Sequence, residues 1–159
     1  MIIHLFKKAK HFLNQPLFIK LWFFPLWIAL GISKLLIFTL SIERLTPFLG
    51  SPLDLHTKAP HITKLDTETA INMGRAIRLA ARYTLWDSNC FPQAILARLM
   101  LRLYRIPHVL YFGLNRHHAT HDLNAHAWVV AGQVSVTGGA LSFNQYTVVG
   151  AYLGLKATS

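Results

Sequence analysis

Cysteine is nearly absent from this chain. The single residue, Cys90, rules out an internal disulfide framework and a thiolate-rich zinc site, and fits a reducing, cytoplasmic setting. Acidic residues are scarce too: six Asp and Glu stand against sixteen Lys and Arg, a balance of +10 at pH 7. An excess of that sign points to an acidic partner, whether nucleic acid, an anionic lipid surface or an acidic peptide. Charged residues make up 14% and hydrophobic ones 53%, with mean hydropathy +0.36, which excludes a disordered chain. There is no glycine-rich phosphate loop, no H-E-x-x-H pattern, no nucleic-acid-binding motif and no internal repeat. Nucleotide chemistry, a metalloprotease centre and base readout therefore have no support. At 159 residues, the length fits one domain with a sizeable core.

What is present divides near Thr63. Residues 1–62 read as an apolar helical segment and its connector, and residues 63–159 as the chemical domain. The segment opens with Lys7, Lys8 and Lys10, then runs uncharged from Leu21 to Ser33 between Lys20 and Lys34. No small-residue cleavage site follows, so a signal peptide is disfavoured, and the run is shorter than the roughly 18 residues of a membrane span. A packed or interfacial helix fits better, making peripheral contact with a membrane, and Pro16 and Pro25 should start or bend it. Snorkelling of Lys20 and Lys34 would extend the run to Ile42 and leaves a true span as the alternative. Pro47, Gly50, Pro52 and Pro60 then break regular structure.

Helical spacing of Ile71, Ala76, Ile77, Leu79, Ala80 and Tyr83 predicts a helix from Asp66 to Leu85, with Thr67 as a candidate cap. A second helix, almost wholly core, is expected just after Cys90 and on to Tyr104, with Pro92 in its first turn and Ser88 or Asn89 as cap. Beyond it HVLYFGL reads as a strand, NRHHATHDLN as a polar loop and HAWVV as a strand. Ala131 and Gly132 then read as a tight turn and QVSVT as the returning strand. YTVVGAYL fits either a strand or a closing helix. Helices first and strands after give an α+β architecture.

Cys90 lies at the start of the second helix, where unpaired N–H groups and the dipole favour thiolate. Taken alone, a lone cysteine is more often buried and inert. His126 opens HAWVV, whose alternation sends His126, Trp128 and Val130 to one face. An imidazole there can serve as general base to a thiol, although a histidine hydrogen-bonded at a strand end is as common. His117, His118, His121, Asp122 and His126 include ordinary metal-ligand types, but their spacing on a loop fits no metal motif, and no metal or cofactor is expected. Trp86 and Trp128 are candidate walls of the site. The N–H of Cys90, with Gln93 one helical turn on, is a candidate oxyanion hole.

The run SNCFPQAILARLMLRLYRIPHVLYFGL followed by AHAWVVAGQVSV resembles the transglutaminase-like cysteine protease of lasso peptide biosynthesis. The likeness extends in register through AINMGRAIRLAARYTLW and ALGISKLLIFTLSIERLTPFLG, from about Leu21 to Leu153. It implies a papain-like core, with Cys90 as nucleophile and His126 as base, that removes the leader from a precursor peptide. It also implies a separate leader-recognition protein and a lasso cyclase as partners, with no nucleic acid. The family's triad ends in an acid on the next strand, where this chain has Thr137, Gly138 and Gly139. A two-residue hairpin at Ala131/Gly132 would set Thr137 opposite His126. Thr137, Asn144 and Asp122 are thus the candidate orienting groups. Arg105 replaces a family glycine and should alter a helix end. Two other readings use the same residues: a catalytically idle scaffold in a maturation complex, and an acyl transferase that resolves the thioester with an amine.

Overall fold

The computed structural model describes residues 15–39, 49–55, 57–86, 88–116 and 123–155. Helix α1 (Leu17–Thr39) packs against α2 (Lys64–Ala81) and α3 (Cys90–Leu103), and those two helices pack on one face of an antiparallel sheet. The sheet comprises β1 (Ser51–Pro52), β2 (Val109–Arg116), β3 (Leu123–Ala131), β4 (Val134–Thr137) and β5 (Thr147–Leu153), in the order β1-β5-β2-β3-β4. A short helix, α4 (Ser142–Gln145), lies between β4 and β5. The α+β expectation therefore holds, with the C-terminal segment a strand and not a helix.

The twofold alternation of each strand makes two cores. Leu110, Ala127, Val129, Ala131 and Val136 meet the helices, packing with Met73, Ile77, Ala94, Ala97 and Leu101. On the other face Val109, Tyr111, Trp128, Val130 and Ala151 form a second cluster. That cluster is closed by the connector at Leu53 and Ala59 and by Tyr146 and Val148. Residues on both sides of Thr63 share the first core, since Ile19, Leu26 and Leu30 of α1 are buried with α2 and α3.

Several local expectations shift. Thr63, not Thr67, caps α2: its hydroxyl accepts from the Asp66 N–H at 3.1 Å, and the helix stops at Ala81, short of Leu85. The second helix starts at Cys90 itself, and it is not wholly core, because Leu99 and Leu103 are exposed. The region NRHHATHDLN is partly sheet, with Asn115 and Arg116 in β2 paired to Asn124 and Leu123 of β3. Strand pairing continues there because the hairpin ladder needs no apolar side chain to form. Residues 117–122, including His117, His118, His121 and Asp122, lie outside the described residues. Pro25 sits inside α1 without ending it, on the exposed face.

After α3 the backbone of Arg105 turns to φ 57°, and the Ile106 N–H closes the helix on the Leu101 carbonyl at 2.8 Å. This is the left-handed terminator usually given to glycine, occupied here by a side chain that strains it. Arg105→Gly should therefore raise stability by about 0.5–1 kcal/mol, or a melting-temperature gain of about 1–4 °C by calorimetry.

His108, fully buried, donates Nδ1–H to the Ile106 carbonyl at 2.8 Å and leaves Nε2 without a partner under Gly154. Burial, which outweighs that hydrogen bond, and the nearby Arg98 and Arg102 push its pKa down to about 4. The unfolded chain then binds the proton first as pH falls, so stability is intact above about 6.5 and is lost progressively toward pH 4. The expected loss is about 3 kcal/mol at pH 4 relative to pH 7. Denaturation curves of wild type and His108→Gln should diverge in slope over this window. Parallel pH profiles would contradict the assignment.

Candidate active site

The thiol stands where a helix begins. Thr84 Oγ1 organises the approach, bonding the Ala81 and Trp86 carbonyls and the Ser88 hydroxyl at 2.8–2.9 Å. Asn89 occupies the N-cap position, but its side chain caps nothing, contrary to the expectation for Ser88 or Asn89. The first intrahelical bond runs from the Gln93 N–H to the Asn89 carbonyl at 3.5 Å, and Pro92 has no N–H. The amides of Cys90 and Phe91 are therefore left without intrahelical acceptors, beside the half-buried thiol and at the positive end of α3. Gln93 does not extend this donor pair, because its Nε2 bonds the Ser88 carbonyl at 2.7 Å and braces the turn before the thiol.

His126 and Trp128 share a face of β3, as alternation requires, and it is the face turned away from the body of α3. The imidazole stacks on Tyr146 at 4.6 Å and on Trp128 at 5.6 Å. Gly113 is its register partner on β2, and a Cβ there would strike the Trp128 ring and Tyr146. The first turn of α3 reaches this level of the sheet: Phe91 contacts Phe112 at 5.6 Å, and Phe112 is paired with Ala127, the next residue to His126. Phe112 and Ala127 face the helices, whereas His126 faces the other way, and no hydrogen bond joins Cys90 to His126 among the described residues.

The orienting group is one that residue types do not announce. His126 Nε2 lies 3.2 Å from the Gly138 carbonyl oxygen. A carbonyl only accepts, so Nε2 carries the proton and Nδ1 keeps the lone pair. The same carbonyl accepts from the buried Ser142 hydroxyl at 3.0 Å, which fixes the turn formed by Gly138 (φ 84°) and Gly139 (φ 92°). At Gly138 a side chain would collide with Trp128 and approach Nε2 to 3.0 Å, so glycine is required twice over, by conformation and by space.

Thr137 does not stand opposite His126. The hairpin turn falls at Gly132–Gln133, one residue later than expected, and a bulge between Val129 and Val130 pairs Thr137 with Val129. Its hydroxyl is buried with no partner. Asn144 lies on α4, lining a cavity of about 880 Å³ on the His126 side of the sheet, shared with Tyr111, Phe143, Tyr146, Lys58 and Gln133. Asp122 lies outside the described residues. Trp86 is not beside the imidazole: it packs on Trp27 at 5.3 Å and over Gly31 of α1. Tyr146 takes the wall position on that side, a residue the sequence offered only as part of a terminal strand or helix.

Thr137→Val should leave His126 in its Nε2–H tautomer, read from ring ¹⁵N shifts. It should also raise stability by about 1 kcal/mol by removing an unpaired buried hydroxyl. Conversion to the Nδ1–H tautomer in this variant would restore Thr137 as the orienting group.

A family model described as the transglutaminase-like superfamily matches residues 35–151, a span that includes both Cys90 and His126. No curated protein and no solved structure matches.

Proposed function

The chain belongs to the transglutaminase-like superfamily, and from that premise we propose that it is a cysteine peptidase that cleaves the leader from a ribosomally made lasso peptide precursor. The superfamily includes both cysteine proteases and acyltransferases, so hydrolysis and the precursor are the finer parts of the reading. One observation carries it: the thiol stands at the positive end of a helix, beside two amides with no intrahelical acceptor.

In this mechanism Cys90 Sγ gives its proton to His126 Nδ1 and the thiolate attacks the scissile carbonyl carbon. The developing oxyanion is met by the unpaired amides at the start of α3, Cys90 and Phe91. Protonated His126 then gives its proton to the leaving amine, and a thioester remains on Cys90. Water, deprotonated by the same Nδ1, attacks the thioester, and the thiol is regenerated as the carboxylic acid departs. Gly138 supplies a carbonyl dipole where the usual triad supplies a full negative charge, so imidazolium is less stabilised than by a carboxylate.

A separate leader-recognition protein and the lasso cyclase complete the proposed assembly. The cavity beside Tyr146 would take part of the precursor on the His126 side. The idle-scaffold reading gains weight because no carboxylate bonds His126 among the described residues, and the acyl-transfer reading differs only in whether water or an amine accepts the acyl group.

With one thiol in the chain, iodoacetamide alkylation reads Cys90 directly. Alkylation at neutral pH is expected to be at least about tenfold faster in wild type than in His126→Ala. Equal rates in the two would overturn the Cys90–His126 pair and leave a scaffold. With a precursor peptide and its recognition protein, products that gain one water and vanish in Cys90→Ala would support peptidase action, whereas amine-linked products would indicate transfer.

A further inference from the structure

Helix α1 has two unlike faces. Inward, Ile19, Leu26, Leu30 and Ser33 are buried against α2 and α3. Two indoles tie it down, Trp22 Nε1 donating to the Tyr104 hydroxyl at 3.0 Å and Trp27 Nε1 to the Tyr83 carbonyl at 2.9 Å. Outward, Leu17, Leu21, Phe24, Ile28, Ile32 and Leu35 recur in steps of three and four and are 54–79% exposed. At 100° per residue these six side chains fall within an arc of about 80°. A continuous apolar stripe of this kind is unusual on a monomer and marks a contact surface.

The charge around the stripe indicates what it meets. Lys20 and Lys34 lie on one flank of it, and Lys7, Lys8 and Lys10 precede it in sequence. The whole chain carries +10 with only six acidic residues, so a second copy would bring like charge to the same face. An anionic bilayer meets both requirements, acyl chains for the stripe and headgroups for the lysines. The segment Leu17–Leu35 is long and apolar enough to cross a membrane. Crossing, however, would strip away the buried inner face and both indole hydrogen bonds. We infer that the outer face of α1 docks on an anionic lipid surface, lying in its plane with the Leu17–Leu35 stripe among the acyl chains.

This inference does not depend on the peptidase reading, and its test leaves Cys90 untouched. Full-length protein is sedimented with phosphatidylglycerol/phosphatidylcholine vesicles and with phosphatidylcholine vesicles, at low and high salt. Binding to the anionic vesicles, weakened by salt and by their replacement with phosphatidylcholine, is expected. The double variant Phe24→Glu/Ile28→Glu should lower partitioning at least about tenfold without changing the melting temperature, since both side chains face solvent. If that variant melts early, Leu21→Ser/Ile32→Ser serves in its place. Equal binding to both vesicle types, no binding, or undiminished binding by a folded variant would overturn the inference. So would a wild-type dimer that the variant renders monomeric in the absence of lipid binding, which would identify a second copy as the occupant. Alkylation of Cys90 reports independently on the catalytic pair, so either idea can fail alone.

Discussion

Strand β3 has small side chains on one side and large planar ones on the other, and the rest of the molecule follows from that division. Ala127, Val129 and Ala131 let helix α3 come close to the sheet, because alanine and valine present little bulk to an approaching helix. Trp128, on the opposite side, is fully buried, with Tyr111 stacked at 5.7 Å and Phe143 set edge-on at 5.2 Å. A one-residue slip of this strand would send the indole into the helices and the alanines into the aromatic layer. The register that buries Trp128 is thus the register that puts His126 where it is.

In the proposed peptidase the layout gives a backbone group part of the work of a triad's acid. A carboxylate performs two tasks, choosing the tautomer and balancing the positive charge of imidazolium. The Gly138 carbonyl performs the first with a neutral dipole. Tyr146 and Trp128, stacked on the ring, present π faces that attract a cation, a partial substitute for the second task. Ser142 completes the device by holding the carbonyl from behind.

The large periodicities were legible in the sequence, and the fine register was not. HAWVV announced a strand with His126 and Trp128 on one face, and the Cys90 helix was marked by Pro92 and the apolar run that follows. Thr137 was misplaced because a turn one residue later and a bulge at Val129/Val130 leave no mark on hydrophobic alternation. The Gly138 acceptor was invisible for a deeper reason: every residue owns a carbonyl, so only geometry can select one. The pair Gly138–Gly139 was the available clue, since two positive φ angles in succession signal a backbone arranged for its own polar groups. Buried His108 likewise stood unmarked at the edge of an apolar strand, where the sequence showed only a polar letter at the head of HVLYFGL.

The close approach of Trp86 to α1 constrains more than packing. A Cβ at Gly31 would lie 2.9 Å from the indole, which is itself wedged against Trp27. A larger residue at position 31 would have to push this half-buried indole off α1 and out of its contact with Trp27. These two sites, remote in the chain and lying in different segments, are therefore coupled through one ring. A lineage that trades away the tryptophan just upstream of Cys90 would be recognisable by what it then permits in the middle of α1.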